Sequence, residues 1–233
     1  MTRKLLAEFV GTFAIVYCGV GAIALTSSGL LNGGLIAIAF GHGFAVMGMI
    51  YALGGVSGAH FNPAVSLALA SIGRFSWREL PFYVLAQLSG SVAAVTLLGL
   101  THSSSLSKVS FGATVLAPGV SPLAGLFIEI VLTFFLMLVI VRVAVLERNP
   151  LSGVLIGLTV MMGISAAGPL TGVALNPARA FGPALFSGNW NGHWIMWLGP
   201  ALGALLGAWT AIFLQVKPLE GEIQTSSQEV KGV

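Results

Sequence analysis

The sequence predicts an all-α membrane protein: six transmembrane helices plus two re-entrant half-helices, arranged as an inverted repeat. Three observations carry that expectation. Only 7% of the 233 residues are charged and 56% are apolar, whereas a soluble domain carries roughly 25% charged residues. The apolar residues gather into six runs of membrane-spanning length. Asn-Pro-Ala occurs twice, at Asn62-Pro63-Ala64 and Asn176-Pro177-Ala178, each time in an apolar stretch too short to cross a bilayer.

Taken in order, the spans fall at about 5–25, 33–54, 81–101, 123–146, 151–168 and 194–215. Each is near the ~20 residues that a spanning helix needs. The first run has no clear cleavage site, so it reads as a span and not as a removable signal. Two shorter runs remain, at 62–72 and 177–187. Each makes a helix of roughly 15 Å, and two meeting end to end cover the ~30 Å hydrocarbon core. Irregular backbone at that depth is tolerable only where it is buried in protein or lines water. The Gly-rich loops 55–61 and 169–175 should therefore line a cavity. Their carbonyls, over Gly58, Ala59 and His60 and over Gly172, Val173 and Ala174, are expected to face it.

The two halves repeat. Ala7-Glu8-Phe9 of the first span matches Ile128-Glu129-Ile130 of the fourth, and Thr12-Phe13 matches Thr133-Phe134. Three spans per half is an odd number, so the second copy must be inverted, with broken helices meeting near the midplane. The expected organisation is a single channel domain over 1–215. Repeat one covers 3–101, a Ser- and Gly-rich linker 102–122, repeat two 123–215, and a polar tail follows at 216–233.

Charge placement orients the chain. With both termini inside, Arg3, Lys4, Arg74, Arg78, Arg142, Arg148, Lys217 and Lys231 face the cytoplasm and only Lys108 lies outside. That is the bias that cytoplasmic loops carry, and it explains the basic pI of about 9.4. No basic cluster with interleaved aromatics points to nucleic acid. The chain has no Asp and a single cysteine, Cys18, which excludes an internal disulfide and a Cys-based metal site. Neither metal nor cofactor is expected.

The chemistry of the paired tripeptide follows from capping. Pro suits the first helical position, where its missing N–H is not needed, and Asn is among the best N-caps. The capping oxygen accepts a backbone N–H, leaving the amide NH₂ with two donors for the lumen. Two half-helices meeting tip to tip add two positive dipole ends. A water passing between them turns its oxygen toward both Asn groups, and cations meet a repulsive field.

On Ala7-Glu8-Phe9, on Ser57-Gly58-Ala59-His60-Phe61-Asn62-Pro63-Ala64-Val65 and on Asn176-Pro177-Ala178-Arg179, the chain resembles the aquaporin (major intrinsic protein) family over residues 3–215. The resemblance implies a passive multi-pass channel in the cell membrane, assembled as a homotetramer with one pore per subunit. It also implies a constriction of four side chains. Counting from the motifs places them at His42, Ile164, Val173 and Arg179. Water-selective members typically have Phe at the first of these positions and His at the second. This set looks more like that of plant vacuolar-membrane (tonoplast) members, some of which also conduct ammonia. His42 opposite Arg179 should make a polar constriction with several donors, and Ile164 and Val173 an apolar wall. Glycerol-conducting relatives usually carry Asp directly after the Arg, where this chain has Ala180.

Buried carboxylates need partners. Glu8 and Glu129 are the acids within spans, and the resemblance assigns each to bracing a re-entrant loop. A proton-coupled transporter would use the same pair as a relay. Water, with ammonia as a second permeant, is the expected cargo; a glycerol-type facilitator and the transporter are the alternatives. No nucleophile–base–orienter set is visible, so the chain is not expected to be an enzyme. Cys18 is expected to be a small packing residue, and His60 a loop-packing residue.

Overall fold

The computed structural model describes residues 1–215; the tail expected at 216–233 lies outside them. The spanning helices are α1 (Thr2–Ser27), α2 (Gly34–Ser57), α4 (Leu80–Thr101), α6 (Pro122–Val139), α7 (Ser152–Thr171) and α9 (Ile195–Phe213), with α6 carried on as π turns over Ile140–Leu146. The two half-helices are α3 (Pro63–Ser71) and α8 (Pro177–Ser187). A short helix, α5 (Ser103–Leu106), and a distorted 3₁₀ turn over Ser107–Gly112 occupy the linker.

The packing repeats between halves. Helix α1 packs on α2 and α4, and α6 on α7 and α9, while α2 against α7 joins the halves. Glycines allow these backbones to approach. A Cβ at Gly43 would lie 2.7 Å from the Gly157 carbonyl oxygen, and one at Gly157 would lie 2.6 Å from that of Gly43. Helices α2 and α7 therefore cross in backbone contact. Matched contacts hold the outer pairs: Gly90 of α4 sits on the Phe9 carbonyl and Gly203 of α9 on the Ile130 carbonyl.

Buried aliphatic residues fill the interior in separate clusters around a central space. One joins α2, α6 and α7 through Ala39, Leu136, Ile156 and Val160. Another joins α3 to α6 and α9 through Ala64, Ala68, Met137 and Ala204. Large apolar side chains such as Leu6, Phe40, Phe82, Phe127 and Trp209 stay exposed on the outer faces of the helices, as suits contact with lipid.

The linker is partly helical, and its Gly112 reaches the site described below. One expectation changes. Cys18 is exposed on α1, not packed inside, because the buried stripe of that helix runs through Thr12, Val16, Gly19 and Val20.

Candidate functional site: a pore between two half-helices

Each half-helix begins on its Asn. Asn62 is extended (φ −155°, ψ 120°) and its side-chain oxygen accepts from Ala64 N at 2.9 Å. Asn176 is likewise extended and accepts from Ala178 N at 3.0 Å and Arg179 N at 3.3 Å. Pro63 and Pro177 occupy the first helical positions, where a missing N–H costs nothing.

The amide nitrogens are not both free, as capping alone suggests. Asn62 Nδ2 donates to the Leu175 carbonyl at 2.8 Å, and Asn176 Nδ2 donates to the Phe61 carbonyl at 2.8 Å. Each Asn thus ties its own half-helix to the loop leading into the other. One N–H per Asn is spent on this reciprocal strap and one remains for the cavity that both residues line. Two inverted copies meeting at their tips bring each Asn within reach of the opposite loop.

The loops are held in costly backbone conformations. Ala59 (φ 54°) and Phe61 (φ 51°) in the first, and Val173 (φ 43°) and Leu175 (φ 52°) in the second, are left-handed. Each such residue costs about 1 kcal/mol or more. Gly58 and Gly172 open the two loops in the same region at little cost. The alternation turns successive peptide groups, sending N–H groups back toward a carboxylate.

The carboxylates answer them. Glu8, fully buried, accepts from Ser57 Oγ at 2.7 Å, His60 N at 3.0 Å, Phe61 N at 2.6 Å and Gln87 Nε2 at 2.8 Å. Glu129, also fully buried, accepts from Thr171 Oγ1 at 2.8 Å, Ala174 N at 3.0 Å and Leu175 N at 3.0 Å. Ser57 and Thr171 are equivalent: each hydroxyl donates to a Glu and accepts the backbone N–H two residues on, at 3.1 and 3.0 Å. Fixed donors thus engage both oxygens of each acid.

Repeat one carries further buttresses. His60 Nδ1 lies 3.0 Å from Ser66 Oγ, and its ring packs against Phe75 and Tyr83. Tyr83 donates to the Ser57 carbonyl at 2.8 Å. Gln87, Ser66 and Tyr83 are roles that sequence reading misses, because isolated polar residues on apolar helices give no spacing signal.

A cavity of about 370 Å³ runs from Arg74 and Arg148 at one mouth, past Asn62 and Asn176, to His42, Ile164, Val173 and Arg179. A second, of about 350 Å³, opens toward Thr26, Leu35 and Pro169. His42, Ile164 and Arg179 line both and divide them, and Val173 lines the first only. One wall of the longer cavity is apolar, with Val46, Ile50, Ile140 and Ile156, and the other carries the loops Gly58–Phe61 and Val173–Leu175.

Arg179 is 3% exposed and its guanidinium donates to the Gly112 carbonyl at 2.9 Å, while its Nε has no partner among the described residues. Gly112 has φ +73°, and a Cβ there would sit 2.7 Å from Val20, so only glycine brings this carbonyl in. At His42, Nδ1 lies 3.0 Å from the Ile38 carbonyl, which can only accept, so in the neutral ring Nδ1 holds the proton. Nε2 is then a lone-pair acceptor, buried over Gly19 without a partner among the described residues. The imidazole contributes no free donor; Arg179 supplies the donors.

The profile of the major intrinsic protein family matches residues 1–211. The chain belongs to the major intrinsic protein family. It is 42% identical to aquaporin NIP1-1 of Zea mays, over 98% of this chain and 81% of that one. With aquaporin NIP1-2 of Arabidopsis thaliana it shares 39% identity, over 99% and 81%. The solved structure of the aquaglyceroporin from Plasmodium falciparum superposes with a TM-score of 0.79 at 29% identity, covering 91% of this chain and 94% of that one. The major intrinsic proteins are membrane channels and not enzymes, so this is a multi-pass channel protein. The whole-chain matches are to NIP-type aquaporins, and the likeness to tonoplast-type members rests on the four constriction residues alone.

Proposed function

We propose that the chain is a passive channel for water in single file, with ammonia as a second permeant and with protons and ions excluded. The observation that carries this reading is the reciprocal strap between the half-helices. It leaves one amide N–H on each of Asn62 and Asn176 beside two positive helix ends in the same cavity. A water there gives its oxygen to both amides, so its hydrogens point away from the midplane on either side. Its oxygen, already engaged, accepts no further proton from the file. The loop wall supplies polar backbone groups and the aliphatic wall supplies nothing, which favours a single file along one side.

At His42, Ile164, Val173 and Arg179 the passage presents an acceptor, two apolar surfaces and the donors of a permanent cation. A small neutral molecule with a lone pair can bond to Arg179; a hydrated cation meets like charge and loses its shell at high cost. In the assembled protein, one channel domain over 1–215, with repeats 3–101 and 123–215, forms each subunit of a homotetramer. Both termini face the cytoplasm, and the cell membrane is the proposed location.

A second reading, a glycerol-type facilitator, is favoured by one observation: the aligned solved structure is an aquaglyceroporin. Stopped-flow light scattering on proteoliposomes separates the two. Under the first reading wild type exceeds empty liposomes for water and ammonia but not glycerol, and Arg179→Val raises leakage of charged solutes. His42→Phe is expected to change the ratio of ammonia to water flux. Glycerol flux at the rate of water flux would replace the first reading with the second, and water flux no faster than in empty liposomes would sink both.

A further inference from the structure

The mouth of the longer cavity holds a charge arrangement that water conduction does not use. Arg74 and Arg148 both line it. Arg74 follows the end of α3, where Gly73 turns left-handed (φ 70°) and Arg74 N closes on the Leu69 carbonyl at 2.9 Å. Arg148 is itself left-handed (φ 51°), a conformation that costs a non-glycine residue about 1 kcal/mol or more. Its loop is pinned on both sides. Asn149 N donates to the Val143 carbonyl at 2.8 Å, Leu151 N to Asn149 Oδ1 at 2.8 Å, and Tyr51 to the Pro150 carbonyl at 3.1 Å.

Among the described residues, the two carboxylates on this face, Glu79 and Glu147, are committed elsewhere. Glu79 pairs with Lys4 at 3.2 Å and Glu147 with Arg142 at 2.7 Å. Among the described residues, neither Arg74 nor Arg148 has a hydrogen bond or ion pair through its guanidinium. Two uncommitted forks therefore flank one opening, and the neighbouring Glu147 is already held by Arg142. A guanidinium fork matches two oxygens of a phosphate group, and two forks on one anion exceed what a single surface arginine retains.

We propose that this mouth is an anion site in which Arg74 and Arg148 together bind a phosphate group, and that the bound group obstructs permeation from that side. The obstruction rests on the channel reading above, but the binding does not. The phosphate belongs either to a free anion or to a phosphoinositide headgroup.

The test has a binding arm and a flux arm. Pyrophosphate is titrated calorimetrically into the purified full chain at low salt. One saturable site per chain is expected, weakened at least tenfold in the Arg74→Gln/Arg148→Gln double variant and unchanged in Arg78→Gln, a cation of the same face outside the cavity. In the flux arm, proteoliposomes of known sidedness receive pyrophosphate on the arginine-bearing face, or contain phosphatidylinositol bisphosphate in that leaflet. Several-fold slower osmotic shrinkage is expected in one arm or the other, and the responding arm identifies the source. Melting temperature and elution profile of each variant establish that it is folded. The proposal is overturned if neither probe has any effect, if the double variant responds as wild type, or if Arg78→Gln weakens binding as much. Binding with undiminished flux overturns the obstruction. Absence of flux in protein that still binds pyrophosphate fails the channel reading instead.

Discussion

His42 and Gly19 form one steric unit. The imidazole occupies the space that a side chain at position 19 would take: a Cβ there would overlap Cδ2, Nε2 and Cε1 of the ring. Gly19→Ala must therefore push the ring toward the junction of the two cavities, since neither helix backbone can yield cheaply. Water flux measured by stopped-flow shrinkage is expected to fall several-fold in Gly19→Ala and to recover in Gly19→Ala/His42→Ala. Gly21→Ala is the control, because its Cβ meets only Leu98, at an ordinary 3.6 Å. Unchanged flux in Gly19→Ala would place the ring away from the path. The straps between the half-helices also act residue by residue. Asn62→Ala removes the acceptor for Ala64 N and the donor to the Leu175 carbonyl, leaving buried groups unpaired. The expected loss is about 2 kcal/mol, read as a lower thermal unfolding midpoint. Asn62→Asp keeps the cap, loses the strap and adds a negative charge where two positive helix ends meet. It is expected to admit cations in a conductance assay, and a cation-tight Asn62→Asp would remove the electrostatic account.

Each re-entrant loop is an element that gives two of its N–H groups to an acid from a neighbouring span. In Glu129→Gln, one of the two oxygens becomes an NH₂ that faces a donor, so either the Ala174 and Thr171 pair or Leu175 loses its acceptor. The expected cost is about 2 to 4 kcal/mol, with the loop released from its left-handed conformation. A lower melting temperature together with lower water flux checks this. Glu8→Gln should be milder, because Gln87 can turn its amide and offer the oxygen that now has no partner. Equal effects in the two variants would show that Gln87 gives no compensation. The sequence makes these elements visible to different degrees. Spans and half-spans follow from hydropathy and from Asn-Pro, so their existence is readable and their ends shift by a few residues. The matched Ser57 and Thr171 are visible as hydroxyls, yet their joining of carboxylate to backbone depends on a loop geometry that no periodicity encodes. Gly112 is the clearest gap. It sits in a linker with no repeat pattern, and its importance comes from Arg179, distant in sequence and bonded to it only in the fold.

At the scale of the whole molecule, one asymmetry organises everything else: the charges crowd one end. Arg74 and Arg148 line the mouth reached from α3 and the α6–α7 loop, with Arg3, Lys4, Arg78 and Arg142 on the same face outside the cavity, whereas Lys108 lies in the linker. The proposed topology puts this basic face in the cytoplasm, following the bias of cytoplasmic loops, and would set the direction of the pore as well as that of the chain. The prediction is a labelling pattern. In a Cys18→Ser background, which removes the exposed native thiol, Lys108→Cys should react with a membrane-impermeant maleimide added to intact cells. Ser76→Cys, exposed between α3 and α4, should react only after permeabilisation. Both side chains are exposed and lie outside the spanning helices, so a missing signal on intact cells reports sidedness and not burial. The reverse pattern would turn the molecule over. Arg179 would then guard the cytoplasmic side of the pore, and the arginine-bearing mouth would face outward.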